Sequence, residues 1–194
     1  EVVHAIPTQN KIIKAGDLVS IDIGMQYPAT SGVGPGGNGL FVDTALTVVA
    51  GKKITKQYQQ LLDVTRISLE KGIEKAVIGN SVADIGRAIE DYVKSQGKYG
   101  IVKDLVGHGV GHAVHEDPQV PNFYSEEFEH WILKENVVIA LEPMITLGGW
   151  RVKVAPDGWG ILTADGSMSA HFEHTVVVTK DGPLVVTRRE NEIN

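Results

Sequence analysis

Gly107-His108-Gly109-Val110-Gly111, with His115-Glu116-Asp117-Pro118 close behind it, is the stretch on which the fold and chemistry of this chain turn. Glycine on both sides of His108 permits close backbone approach and unusual dihedrals, as a ligand-bearing segment needs. A glycine-rich turn with an incidental histidine has the same pattern, so its meaning depends on what accompanies it. His115 follows His108 by seven residues, too far to share one helical turn, and reads as a second imidazole that is not a ligand. His112, between them, reads as a bystander.

Four carboxylates accompany it. Leu18-Val19-Ser20-Ile21-Asp22-Ile23 alternates as a strand, with Val19, Ile21 and Ile23 on one face and Ser20 and Asp22 on the other. Phe41 to Val49 alternates too: Val42, Leu46 and Val48 share a face and Asp43 lies opposite. Each Asp alone fits a solvated sheet face. Two on adjacent strands of one hairpin can share a face, where close like charges need a cation between them. Glu142 ends the apolar run Val137–Leu141 and precedes Pro143. Glu173 precedes Thr175-Val176-Val177-Val178, and alternation puts it opposite Phe172, His174, Val176 and Val178. In isolation these two fit a strand end reaching water and a half-exposed sheet surface. As a set, Asp22, Asp43, His108, Glu142 and Glu173 are oxygen-rich and suit two hard or borderline divalent ions better than one structural zinc. Their convergence would make a metallohydrolase that activates water.

The remaining histidines carry less. His4 and His171 have the character of satisfied or exposed histidines, and His130 and His174 present no case for chemistry. Met144, Trp150, Trp159 and Met168 read as core or rim hydrophobes, although an aromatic near metals could line a side-chain pocket.

Composition narrows the classes. The 194 residues suffice for one well-packed domain, and 42% hydrophobic with 22% charged residues is ordinary for a soluble globular protein. A net charge of −6 with no Lys/Arg block argues against nucleic acid or an anionic membrane surface as partner. The longest apolar runs are strand-sized, so no bilayer-spanning segment is expected. Cysteine is absent, which removes disulfides, thiolate zinc sites and a thiol nucleophile together. A cytoplasmic setting is the default. Residue 1 is Glu within a strand-like start, so the chain reads as the downstream part of something longer.

Helical spacing of Ile54, Tyr58, Leu61, Leu62, Leu69, Ile73 and Val77 predicts a helix ending near Gly79-Asn80. Ser81 and Asp84 form a capping-box pattern opening a second helix that buries Val82, Ile85, Ile89 and Val93 and ends near Gly97. Strands are expected around Val137–Glu142, Arg151–Val154, His174–Thr179 and Leu184–Thr187. Two helices among antiparallel hairpins make an α+β domain spanning 1–194. Pro28 to Gly39, rich in Gly, Pro, Ser and Thr, predicts a flexible hairpin tip.

At this point the motifs resemble the type I methionine aminopeptidases. The similarity rests on Glu1-Val2-Val3-His4-Ala5-Ile6-Pro7, Asp17-Leu18-Val19-Ser20-Ile21-Asp22, Gly107 to Gly111, His115-Glu116-Asp117-Pro118-Gln119-Val120, Leu141-Glu142-Pro143-Met144, Asp157-Gly158-Trp159 and Phe172-Glu173-His174-Thr175. It covers nearly the whole chain in the family's order. The implied fold is the pita-bread α+β domain, a curved antiparallel sheet with helices outside and a dinuclear site within. By this resemblance Asp22 would bind one metal, Asp43 and Glu173 would bridge both, and His108 and Glu142 would bind the second. The two divalent ions could be Mn, Co, Fe or Zn, which the donor set does not separate. Glu142 would also be the general base, His115 would contact substrate and stabilise the tetrahedral intermediate, and His4 would position the peptide. Trp159 would line the substrate site. The implied substrate is the N-terminal peptide of nascent proteins.

Three departures from the family stand out. The segment that normally precedes Glu1 is absent, which would leave apolar sheet surface uncovered and a strand edge unpaired. The expected partners in consequence are a complementing N-terminal segment or a second copy of the chain. Asp22 and Asp43 have twenty residues between them, about twice the family spacing, with the excess in the hairpin tip, where added length costs little. Val114 stands where the family commonly has a larger aromatic, which bears on methionine preference. Two alternatives follow: a metal-binding but inactive partial subunit or interaction module, and a prolidase or aminopeptidase P-like peptidase.

Overall fold

The computed structural model describes residues 1–28 and 39–192. The hairpin tip expected over Pro28 to Gly39 falls mostly on residues 29–38, outside those described. On either side of it, β1 (Leu18–Tyr27) and β2 (Leu40–Val49) pair antiparallel without a slip, from Leu18 opposite Val49 to Tyr27 opposite Leu40. The long separation of Asp22 and Asp43 therefore leaves the ladder intact.

Two helices follow. The first, α1 (Lys56–Ile73), is capped by Thr55, whose hydroxyl accepts from the Tyr58 amide at 3.1 Å. Its buried face carries Leu61, Val64, Leu69 and Ile73. It stops several residues before the expected Gly79-Asn80. Lys75 and Ala76 bond back to Gly72 and Ile73 three residues earlier, so the backbone leaves the helix in a tight turn that buries Ala76. The second, α2 (Val82–Gln96), begins with the expected capping box between Ser81 and Asp84 and buries Val82, Ile85, Ile89 and Val93. Each such side chain removed from water contributes roughly 1.5–3 kcal/mol. Both helices share one core cluster with Ile139, Leu141, Ile145, Val176 and Val178.

The strands that receive them are β3 (Gly100–Ile101), β4 (Gly107–Gly109), β5 (Glu116–Val120), β6 (Val138–Leu141), β7 (Met144–Thr146), β8 (Val152–Val154), β9 (Ile161–Thr163), β10 (Ser169–His171), β11 (His174–Thr179) and β12 (Gly182–Val185). β12 begins two residues before the expected Leu184 and occupies the edge of its sheet, where Pro183 leaves no ladder bond unmade on a second side. A five-stranded sheet runs β12-β11-β6-β4-β5, a three-stranded one β10-β7-β3, and β8 pairs with β9. Every ladder is antiparallel, and the α+β class is as expected. The chain passes between the larger two sheets at Glu142-Pro143 and again at Phe172-Glu173. These two crossings carry two of the candidate ligands.

The hairpin has its faces reversed relative to intuition. Asp43, Ala45 and Thr47 of β2 turn inward and are buried, while Ile21, Ile23, Met25 and Tyr27 of β1 are exposed, Tyr27 at 74%. On β2 the polar residues pack inward, while the apolar row of β1 meets solvent. Among the described strands, β1 has β2 as its sole neighbour. No helix among the described residues is long and apolar enough to cross a membrane.

Candidate metal centre

β2 is laid antiparallel along residues 171–175 by alternating kinds of bond. Ala45 and Glu173 exchange backbone bonds at 3.4 and 2.9 Å. On either side, threonine hydroxyls replace the backbone: Thr175 Oγ1 accepts from the Asp43 amide and donates to its carbonyl, and Thr47 Oγ1 does the same for His171 at 2.8 and 2.9 Å. Asp43 is thereby set beside Glu173. Gly24 lies directly across from Asp43. A Cβ there would stand 3.8 Å from Asp43 Oδ1, an ordinary contact.

His108 arrives from β4, which lies between β5 and β6. A Cβ on Gly107 would meet the Ala140 carbonyl at 2.3 Å, and one on Gly109 the Asp117 carbonyl at 2.2 Å. These two glycines therefore serve close approach, whereas Gly111 has a positive φ of 144°. A bulge between His108 and Gly109 shifts the register against β5. His108 Nδ1 bonds the Gly109 carbonyl at 2.9 Å, which places the proton there and leaves the Nε2 lone pair as a donor to a metal.

Ligand atoms of Asp43, His108 and Glu173 lie within 4.8 Å of one another, all three buried. Glu142 borders this group, with Oε1 3.6 Å from His108 Nε2. Its backbone carbonyl accepts from Asn122 Nδ2 at 3.1 Å. Asp22 shares the inward face of the hairpin, diagonal to Asp43 across the ladder and open to solvent. Four carboxylates and one imidazole thus face a common space.

Burial and the neighbouring charges act on two of these carboxylates. Burial, then the charge of Asp22, raises the Asp43 pKa above its ordinary value. Glu173, 2% exposed, is raised well above the carboxylate range by burial first, then by Glu142, Asp43 and Asp22. Arg189 opposes this in part and donates to the Ala45 carbonyl at 2.7 Å. A divalent cation is the natural counter-charge, and an oxygen-rich set with one imidazole fits a hard or borderline ion. Among the described residues these side chains can hold one.

The other expected residues gather in two pairs. His115 sits edge-on to His108 with ring centroids 4.4 Å apart. Both line a cavity of about 470 Å³ with Val106, Glu116, Asp117 and Gln119. His4, at φ 57° in the left-handed region, stacks at a tilt on Trp159, centroids 5.5 Å apart. Trp159 is 59% exposed and so is no core residue, whereas Met144 is fully buried. His112 is exposed. His171, set aside on sequence, is 1% exposed and lies 3.4 Å from Glu142 Oε2. Alternation around Glu173 could have flagged it, since it lies two residues earlier on the same side as a candidate ligand.

The chain matches metallopeptidase family M24 over residues 1–180. It is 41% identical over 187 residues to a methionine aminopeptidase of Clostridium acetobutylicum, covering 96% of this chain and 70% of that one. With that of Borreliella burgdorferi it shares 42% over 187 residues, covering 96% and 69%. Its structure is similar to that of a methionine aminopeptidase from Thermotoga maritima, at a TM-score of 0.86 and 38% identity over 97% of this chain and 71% of that one. The pita-bread fold is common to both. A prolidase from Pyrococcus furiosus shares the fold at a TM-score of 0.67 and 24% identity, covering 94% and 44%.

Proposed function

The chain belongs to metallopeptidase family M24, and on that footing we propose that it removes the N-terminal methionine from nascent proteins by metal-dependent hydrolysis. The observation that carries this is the buried convergence of Asp43, His108 and Glu173 with Glu142 at their border. In this reading Asp22, Asp43, His108, Glu142 and Glu173 would together hold two divalent ions. When bound, such ions lower the pKa of water toward neutrality and polarise a scissile carbonyl.

The protein's own groups do the rest. The Glu142 carboxylate accepts the proton of the attacking water and passes it toward the leaving amine. His115, beside the His108 ring, donates to the carbonyl oxygen as its charge develops. His4 and Trp159 hold the peptide that follows the cleaved residue. In this reading residues 1–194 belong to one catalytic domain that acts in the cytoplasm.

The test is release of methionine from a Met-Ala-Ser peptide by purified chain supplied with Mn or Co. Turnover that is lost in Asp43→Ala supports the proposal, and undiminished turnover in Asp43→Ala and Glu173→Ala overturns it. A comparable rate on an X-Pro peptide would move the assignment to a prolidase-like enzyme. A metal-binding partial subunit is favoured by one observation, the exposed apolar face of Ile21, Ile23, Met25 and Tyr27. Metal binding without turnover, restored by a partner covering that face, is its signature.

A further inference from the structure

We propose that His171 is a positioning residue for Glu142, its Nε2–H donating to Oε2 so that Oε1 stays turned toward His108. The carboxylate lies between two imidazoles: Oε1 is 3.6 Å from His108 Nε2, and Oε2 is 3.4 Å from His171 Nε2. His171 is almost wholly buried, yet neither ring nitrogen has a hydrogen-bond partner among the described residues. A buried imidazole is stable when its polar atoms are paired, and Glu142 is the acceptor within reach. The 3.4 Å separation is longer than a formed N–H···O bond, and the proposal requires it to shorten to about 3 Å.

Both ends of this contact are anchored. Thr47 grips the backbone of His171 through two bonds, which keeps the ring from swinging out to water. Asn122 holds the carbonyl of Glu142. His171 also ends β10, and Glu142 lies between β6 and β7, so the two sheet crossings face each other through these side chains. His171 lies outside the tight Asp43–His108–Glu173 group and reaches it through Glu142. A partner that orients a ligating carboxylate is a recurrent device, and its loss typically costs about 10–100-fold in metal affinity.

This inference rests on Glu142 as a ligand, so the experiment separates the two. Mn or Co binding is measured by calorimetry on the wild-type chain, His171→Leu, His171→Gln and Glu142→Ala, with the Co absorption spectrum recorded for each. Leucine fills the space without donating, and the glutamine amide restores a donor. The expected result is affinity lowered about 10–100-fold in His171→Leu with an altered spectrum, and affinity within about threefold of wild type in His171→Gln. Wild-type affinity in His171→Leu, or equal losses in both variants, overturns the inference. Wild-type affinity in Glu142→Ala overturns Glu142 as a ligand, and this inference with it. Should the His171 variants not fold, nitrogen-15 spectra of the Zn-loaded wild-type chain decide: an Nε2–H tautomer of His171 supports the proposal, and an Nδ1–H tautomer overturns it.

Discussion

The Thr175 hydroxyl holds Asp43 by both ends of its backbone, accepting from the amide and donating to the carbonyl at 2.8 Å each. A side chain thus stands in for a strand, and it does so beside the inward carboxylate of Asp43. The hairpin that carries Asp22 and Asp43 is joined here to the sheet that carries His108 and borders Glu173. Thr175→Val keeps shape and removes both bonds. Leaving buried backbone groups unpaired should cost about 1–3 kcal/mol each, and divalent ion affinity should fall with stability. Thr175→Ser should retain both. Thermal unfolding and metal titration of the two variants check this.

The clustered carboxylates predict opposite effects on activity and on metal-free stability. Asp43→Asn should lower turnover by about a hundredfold or more, equivalent to about 2.7 kcal/mol in the barrier. Burial and Asp22 already raise the Asp43 pKa, so a neutral amide in its place relieves repulsion in the metal-free protein. With chelator present, the variant should melt at or above the wild-type temperature. A clear drop in melting temperature would show that Asp43 has a structural role beyond its charge.

How much of this was legible in the sequence varies with the range of the interaction. The capping box of Ser81 and Asp84 and the buried stripe of Ile85, Ile89 and Val93 are local, and they appear as the spacing predicts. The shared face of Asp22 and Asp43 follows from strand alternation. Alternation does not say which face is covered, because that depends on distant partners. Thr47 and Thr175, from residues far apart in the chain, turn the polar face of the hairpin inward. His171 shows its place two residues before Glu173 in the sequence, but its burial comes from β2 and Glu142, which are distant in the chain. The glycines around His108 were legible as a need for space, and the carbonyls of Ala140 and Asp117 supply the reason.

Chelation should destabilise the protein. Ions that bind the folded chain and not the unfolded one add about 2.7 kcal/mol of stability at a concentration a hundredfold above Kd. The melting temperature should therefore rise with added Mn or Co and return to baseline with chelator. In Glu173→Ala the rise should be mostly lost.

Asp165 sets a pH dependence away from the centre. Its carboxylate accepts from the amides of Gly149 at 2.7 Å and Ser167 at 2.9 Å. These bonds, that of Gly149 first, lower its pKa to about 2. A carboxyl whose folded pKa lies below its unfolded value contributes fully above the unfolded value, near 4, and less as pH falls toward 2. Stability should decline across that window partly through Asp165, and Asp165→Asn should flatten the decline. A carbon-detected titration of this carboxyl should give a midpoint near the folded value, and one near 4 would show the loop open in solution.

The outer face of β1 should govern association. Ile21, Ile23, Met25 and Tyr27 are exposed in a row, and β1 has no neighbour among the described strands on its far side. An apolar face next to an open strand edge is a template for pairing with another chain. Sedimentation should show mass that grows with protein concentration. Ile23→Lys places a charge in the middle of that row and should shift the population toward monomer. The metal site lies on the opposite face, carried by Asp43, so metal affinity should stay within about twofold. A chain that sediments as a monomer before the substitution would show that the face is tolerated in water, and a monomeric variant that loses metal would show that the hairpin needs its covering to hold Asp22 and Asp43 in register.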